Sequence, residues 1–449
     1  MFMEAAIDLW DILSDVGIAS CLLLLAKVMR TRIMIMQRLF VPATLLAGLL
    51  GFVLGDSVLG WAPLSDLAGG YSGLLICAVF AAIGLTTRFP RLDELIHRTG
   101  RLWAFNQMVF LSQWIVGVLF AIVAAPTLFP GISPAFGLIF PGGWMGGHGT
   151  AAAMGAVLTD LGWEGALSLG LTSATIGVFA AVLGGMVIIN VLTRTGVLQG
   201  VARFDDLDVS IRRGLIPPAQ RVSVGDETVS ASSLHVFTLH LALIGAVTFA
   251  GQQMAEQLSA LFAYLQVPVF ACCFLLGCAA RFALVTLKVQ GHFDDRITSA
   301  ASSCATDFLI FFGISSIQLS VLLSNTLPFV LIIVIGVALC VFLTLFIAPR
   351  VLDRHWAEKA IFSWGWMTGT VALGILLLRI CDPENRSHAL EDYAIAYVPG
   401  SVVEILLISL VPGLVMMGYA IPVLSVLCLA LTAVIAIFLF VIRRKAHAH

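Results

Sequence analysis

The chain has 449 residues, of which 60% are hydrophobic and 11% charged, with 24 Lys and Arg against 26 Asp and Glu. This composition and a mean hydropathy of +1.03 exclude a soluble globular protein, a disordered chain and a secreted disulfide scaffold, because all three need more polar surface or paired cysteines. The net charge of -2 offers no basic surface for nucleic acid, and the nine cysteines lack paired CxxC spacing for a metal or redox centre. The composition therefore predicts an all-α polytopic membrane protein.

Apolar windows of about 20 residues mark the expected membrane spans. Five lie in the first half of the chain and six in the second: 12–29, 39–55, 71–87, 102–125 and 164–192, then 234–254, 267–287, 298–320, 326–348, 394–418 and 421–442. No basic segment precedes the first window, so we expect it to remain as a span rather than to be cleaved as a signal peptide.

Two further apolar segments, 135–160 and 360–382, are interrupted by Gly, Pro and polar residues. If each enters the membrane and returns to the same face, all 24 Lys and Arg lie on one side. A single crossing by either segment would place basic loops on the opposite side, against the positive-inside rule. We therefore predict two re-entrant hairpins in a protein of the inner (plasma) membrane, with the N-terminus outside and the linker 195–233 and C-terminus in the cytoplasm.

The two interrupted segments resemble each other. Residues 139–145 read IFPGGWM and residues 361–367 read IFSWGWM, at an offset of 222 positions. A chance match is the alternative, but the segments hold equivalent places in two halves of opposite predicted sidedness. The sequence thus predicts inverted five-span repeats over 1–194 and 234–418, an architecture typical of secondary transporters, with an additional helix and basic tail over 419–449.

The tip of the first hairpin reads GGHGTAAA over 146–153. Glycines let backbone approach a ligand, and a half-helix that begins at Thr150 would direct free N–H groups toward a substrate carboxylate. The alternative is a packed kink in which His148 is hydrogen-bonded internally. The predicted substrate-binding residues of this hairpin are Gly146, Gly147, His148, Gly149 and Thr150.

This tip closely resembles the Gly-Gly-His-Gly-Thr-Ala-Ala motif of the sodium/glutamate symporter family, and residues 161–166 and 174–177 resemble its next span. Weaker similarity covers most of 10–195. The resemblance implies a sodium-coupled amino-acid symporter with two inverted repeats, two re-entrant hairpins and a homodimeric assembly. The second hairpin departs from the family, because its Ala-Thr-Pro-Thr-Ala stretch and nearby Asn are replaced. Thr368, Gly369 and Thr370 keep the hydroxyls and complete the predicted substrate site, and the substrate itself stays open.

Two carboxylates lie inside predicted spans, Asp307 in the eighth and Glu404 in the tenth. A charge near the centre of a membrane helix costs about 2.5–3.5 kcal/mol, so such residues are candidates for function. We predict cation binding by Asp307 with the hydroxyls of Thr172, Ser173 and Thr175, and a coupling role for Glu404. A structural ion pair between Asp307 and Arg281 or Arg379 is the alternative.

The pattern favours a secondary transporter that moves glutamate, a related amino acid or another small carboxylate with sodium by alternating access, without a cofactor. A transporter of a different organic acid, or one coupled to protons through His148, Asp307 or Glu404, is the first alternative. A channel would repeat its filter loops around a ring, and an enzyme would need a nucleophile–base pair or a metal centre. Neither pattern is visible, so we predict no enzymatic activity.

Overall fold

The computed structural model describes residues 8–56, 58–87, 99–198, 201, 207–261, 267–352, 355–383 and 386–442. Every regular element within these ranges is helical, which confirms the all-α class. Nine of the described helices are long and apolar enough to cross a membrane, or ten when one bent helix is included. The basic residues Arg443, Arg444 and Lys445 of the predicted tail lie outside the described ranges.

The first half contains five helices that match the predicted spans, together with a broken helix pair. In chain order the helices are α1 (Leu9–Arg32), α2 (Met34–Arg38), α3 (Ala43–Leu54), α4 (Ala68–Thr86), α5 (Gly100–Leu128), α6 (Ile139–Trp144), α7 (Gly147–Asp160) and α8 (Ala166–Arg194). One prediction was too long: α3 has 12 residues where a span over 39–55 was expected. Pro42 directly precedes the first residue of α3. Because proline has no backbone N–H, it cannot donate the hydrogen bond that an earlier start of the helix would require.

The second half repeats this order after a short linker helix. Its elements are α9 (Val209–Arg213), α10 (Val236–Leu261), α11 (Val269–Thr286), α12 (Asp295–Ser315), α13 (Leu319–Ser324), α14 (Thr326–Val351), α15 (Trp356–Thr368), α16 (Val371–Cys381), α17 (Ala389–Met416) and α18 (Ala420–Phe440). Helix α17 bends by 54° between Tyr397 and Val402. Pro399 lies inside the bend and supplies no N–H for the helical ladder.

The interrupted segments form helical hairpins. In the first hairpin, α6 and α7, a Cβ added to Gly142 would lie 2.1 Å from Met154 Cε. In the second, α15 and α16, a Cβ on Gly365 would lie 2.5 Å from the backbone nitrogen of Gly374. Each segment therefore turns back on itself, and glycines permit the close approach of the two helices of each hairpin. The opposite membrane orientation of the two hairpins stays a prediction.

The hairpins occupy the interior of the molecule, where Phe140, Trp144, Phe362 and Trp364 are at most 1% exposed. Helix α4 packs against α11 and α12 on one side, and α18 packs along α5 on the other. The additional C-terminal helix is thus part of the packed structure, because it covers α5.

The linker between α8 and α10 is held at two points by hydrogen bonds. Lys27 of α1 donates to the carbonyl of Gly214 at 2.6 Å, and the N–H of Asp226 donates to Asp294 at 2.8 Å. Hydrogen bonds from Arg296 lower the pKa of the Asp294 carboxyl to about 2, so this attachment stays ionised at neutral pH.

Candidate functional site

The tips of the two hairpins meet. Gly147 has a φ of +63°, a left-handed conformation that favours glycine. A Cβ on Gly147 would lie 3.0 Å from Thr370 Cγ2 and 3.1 Å from the carbonyl oxygen of Gly369. Gly147 and Gly369 are 222 positions apart, the offset of the sequence repeat. The structure therefore brings the equivalent glycines of the two tips into contact.

A cavity of about 180 Å³ lies beside this contact and contains most of the predicted substrate-binding residues. Its polar lining comes from both hairpins, α12 and α17: Gly146, His148, Gly149, Thr150, Thr306, Thr370, Tyr397 and Glu404. Helix α4 forms an apolar wall with Ile76, Val79, Phe80 and Ile83. A few converging polar groups on an apolar wall are typical of small-molecule sites.

Glu404 faces the first turn of α7. Its Oε1 lies 3.1 Å from the position that a Cβ on Gly146 would take, and its Oε2 accepts a hydrogen bond from the Tyr397 hydroxyl at 3.2 Å. Because the N–H groups of a first helical turn have no partner within the helix, they attract a carboxylate. The cavity thus combines an anion-attracting helix end with a buried carboxylate.

The predicted hydroxyl cluster on α8 lies beneath the first hairpin. Thr175 Oγ1 is 3.1 Å from His148 Nε2, and Thr172 donates to the carbonyl of Ser168 at 2.7 Å. Ser173 Oγ is buried without a hydrogen-bond partner among the described residues. The Thr175 hydroxyl also donates to the carbonyl of Leu171 at 3.0 Å, and a hydroxyl that donates to a carbonyl can still accept with its oxygen lone pairs.

Asp307 and Thr368 are among the predicted residues that do not line the cavity. Asp307 has an exposed side chain, whereas its neighbour Thr306 lines the cavity. Thr368 is fully buried, and its hydroxyl donates to the carbonyl of Trp364 at 2.7 Å. Arg281, offered above as a structural partner for Asp307, instead pairs with Asp295 at 2.9 Å.

Sequence reasoning missed Tyr397 and Thr306. Tyr397 precedes Glu404 by seven residues, a spacing that places both on one face of a helix. This spacing was a usable signal. Thr306 carried none, because threonines are common in membrane helices and mostly bond to their own backbone, as Thr306 does with Ser302 at 2.8 Å.

The second hairpin is anchored by polar contacts with three neighbouring helices. Gln113 of α5 donates to the carbonyl of Met367 at 2.8 Å, and Trp364 donates to the carbonyl of Ala181 in α8 at 3.1 Å. At its base, Lys359 forms a buried ion pair with Asp392 of α17 at 3.1 Å. These contacts fix the second hairpin between α5, α8 and α17.

Within the described part of the chain, no three His, Cys, Asp or Glu side chains gather in a metal-binding group. A comparison with curated proteins found no match. The family model of the sodium/glutamate symporters matches residues 9–375, which confirms the resemblance carried by the first hairpin. The chain belongs to the sodium/glutamate symporter family, and the protein is therefore a multi-pass membrane transporter of the secondary, symport type.

Proposed function

We propose that this protein carries glutamate or a closely related amino acid across the membrane together with sodium, and that the substrate binds in the cavity between the hairpin tips. The observation that supports the proposal is that one cavity contains both a helix end that attracts an anion and a carboxylate that attracts a cation. The first turn of α7 attracts an anion, and Glu404 faces it at 3.1 Å from the Gly146 Cβ position.

An amino acid satisfies both preferences at once. Its α-carboxylate binds the N–H groups of Gly147, His148 and Gly149 with the Thr150 hydroxyl, while its ammonium group pairs with Glu404. Thr370 adds a hydroxyl from the second hairpin. A carboxylate substrate without an amine leaves Glu404 unpaired in a buried site, which costs free energy. This arrangement favours an amino acid over other organic acids.

Charge balance supports sodium coupling. The cavity lining contains Glu404 but no Lys or Arg among the described residues. An acidic amino acid brings a further net negative charge, so a cation must enter with it. The hydroxyls of Thr172, Ser173 and Thr175, with hairpin carbonyls, are the proposed sodium ligands. Asp307 remains a second candidate that would act from outside the cavity, and protonation of Glu404 or His148 is the competing coupling mechanism.

The proposal includes alternating access, a homodimer as in the family, an N-terminus outside and a cytoplasmic linker. Contact between the tips supports alternating access, because a ligand beside Gly147 and Thr370 cannot pass without a displacement of the hairpins. Cysteine labelling at Ser230 and at Asp8 in intact cells tests the sidedness, and reaction of Ser230 from outside would contradict it.

The central test is uptake into proteoliposomes with defined ion gradients. We expect labelled glutamate to accumulate under an inward sodium gradient, and Glu404→Gln to reduce this uptake at least about tenfold, since a buried charge–charge contact is lost. The variant should bind glutarate, which lacks the amine, no more weakly than the wild type does. Glu164→Gln changes an exposed carboxylate and serves as the matched control.

Other outcomes would revise the proposal. Accumulation driven by a proton gradient alone would favour proton coupling. Equal loss of glutamate and glutarate binding in Glu404→Gln would remove the ammonium contact. Failure of any amino acid to accumulate would exclude this substrate class.

A further inference from the structure

A basic groove of about 650 Å³ lies between the end of α1, α2 and the linker helix α9, far in sequence from the hairpins. We propose that this groove binds the phosphate headgroup of an anionic phospholipid. The site is separate from the transport cavity, since the two share no lining residue.

The groove is built by hydrogen bonds that fold the linker back onto α1. Lys27 Nζ donates to the carbonyl of Gly214, and Arg30 donates to the carbonyl of Arg212. Gly214 adopts a φ of +67° and ends α9, so the chain turns at this point. The linker therefore forms a fixed wall beside the last turn of α1.

Three cationic side chains line this groove: Lys27, Arg32 and Arg213. No Asp or Glu belongs to its described lining, and no carboxylate contact is found for Arg32 or Arg213 in the described part of the chain. Lys27 uses one of its three N–H groups on Gly214 and retains two donors. Guanidinium groups bind phosphate oxygens in a bidentate manner, so the set is suited to a phosphate ester.

Apolar side chains continue from the groove and favour a lipid over a free anion. Val28, Met34 and Leu215 belong to the lining, and Ile35 and Ile216 beside them are 63% and 55% exposed. The groove lies at the end of a membrane-spanning helix, where headgroups meet acyl chains. Basic pockets in this position bind anionic headgroups, whereas a soluble phosphate would leave the apolar half of the groove uncovered.

Native mass spectrometry of the full-length protein in detergent tests the proposal, with phosphatidylglycerol as the anionic probe and phosphatidylcholine as the zwitterionic one. We expect selective retention of phosphatidylglycerol. The double variant Arg32→Gln and Arg213→Gln, which keeps the Lys27–Gly214 hydrogen bond, should weaken this retention by at least about tenfold. A control double variant removes the same charge at exposed positions outside the groove: Arg194→Gln and Arg221→Gln.

Three results would overturn the proposal. These are equal retention of the two lipids, an equal loss in the control variant, and competition by millimolar inorganic phosphate or glycerol phosphate that displaces the lipid. The last result would identify a soluble-anion site. Melting temperatures of both double variants without added lipid should match that of the wild type, which separates lost binding from misfolding.

Discussion

The two hairpins share a sequence pattern and a contact at their tips, yet they use their polar groups differently. The first hairpin presents Gly146, His148, Gly149 and Thr150 to the cavity, while the second presents only Thr370. The second instead receives one hydrogen bond from Gln113 at Met367, near its tip, and has an ion pair at its base. In the function proposed above, the first hairpin therefore supplies most of the ligand contacts, and the second is held mainly by its contacts with neighbouring helices.

The largest effect should follow from removing the buried ion pair at the base of the second hairpin. Lys359→Ala removes the ammonium group that lies 3.1 Å from the Asp392 carboxylate, and both side chains are at most 8% exposed. Loss of one member of a buried pair costs about 3–5 kcal/mol. We expect a clear fall in melting temperature in detergent. Lys288→Ala, at an exposed position, is the control. An unchanged melting temperature for Lys359→Ala would show that the ion pair does not stabilise the second hairpin.

The tip glycines should respond unequally to a single methyl group. Gly147→Ala forces a side chain into left-handed backbone against Thr370 at 3.0 Å, a strain of about 1–3 kcal/mol. Uptake should fall by at least about tenfold while the protein still reaches the membrane.

Gly149→Ala is the matched control two residues away. Its Cβ would approach only the terminal Cδ1 of Ile76, at 3.3 Å, which can shift. Uptake should fall less than in Gly147→Ala, since Gly149 keeps its N–H and does not have the left-handed φ of Gly147. Similar losses in both variants would mean that the tip contact has no special role.

The His148–Thr175 contact tests whether the first hairpin depends on α8 for its ligand geometry. His148→Ala and Thr175→Val should each raise the half-saturating substrate concentration by roughly threefold to tenfold, the value of one hydrogen bond. Because the two side chains form one contact at 3.1 Å, the double variant should lose no more than either single variant. Additive losses would show that the residues act independently.

The smallest effect is expected at Asp307, and it separates the two parts of the predicted cation site. Ser173→Ala removes a buried hydroxyl without a protein partner and should raise the half-saturating sodium concentration. Asp307→Asn changes a side chain that does not line the cavity and should leave sodium dependence within about twofold of the wild type. The reverse pattern would assign the cation to Asp307.

Much of the fold could be predicted because membrane spans follow from hydropathy alone. Helices such as Val269–Thr286 and Ala420–Phe440 lie within a few residues of the predicted windows. The tip of the first hairpin carried a local motif, so its residues could be named as well. The facing direction of a side chain could not be read in the same way, since Ser302, Ser303, Thr306 and Asp307 give α12 a broad polar face. Asp307 attracted notice by its charge, whereas Thr306 faces the cavity.

The meeting of distant elements was also beyond the reach of local patterns. Glu404 was recognised as an unusual charge, but its position against Gly146 depends on how α17 packs over α7. Tyr397 shares its helical face with Glu404, yet only the packing shows that this face is turned toward the hairpin tip.

The bend in α17 gives the Tyr397–Glu404 hydrogen bond a mechanical meaning. The two residues lie on opposite sides of the 54° bend at Pro399, so their 3.2 Å hydrogen bond connects the two arms of the bent helix. A ligand group that pairs with the Glu404 carboxylate would compete with this hydrogen bond. Ligand binding at Glu404 would then change the angle between the two arms of α17.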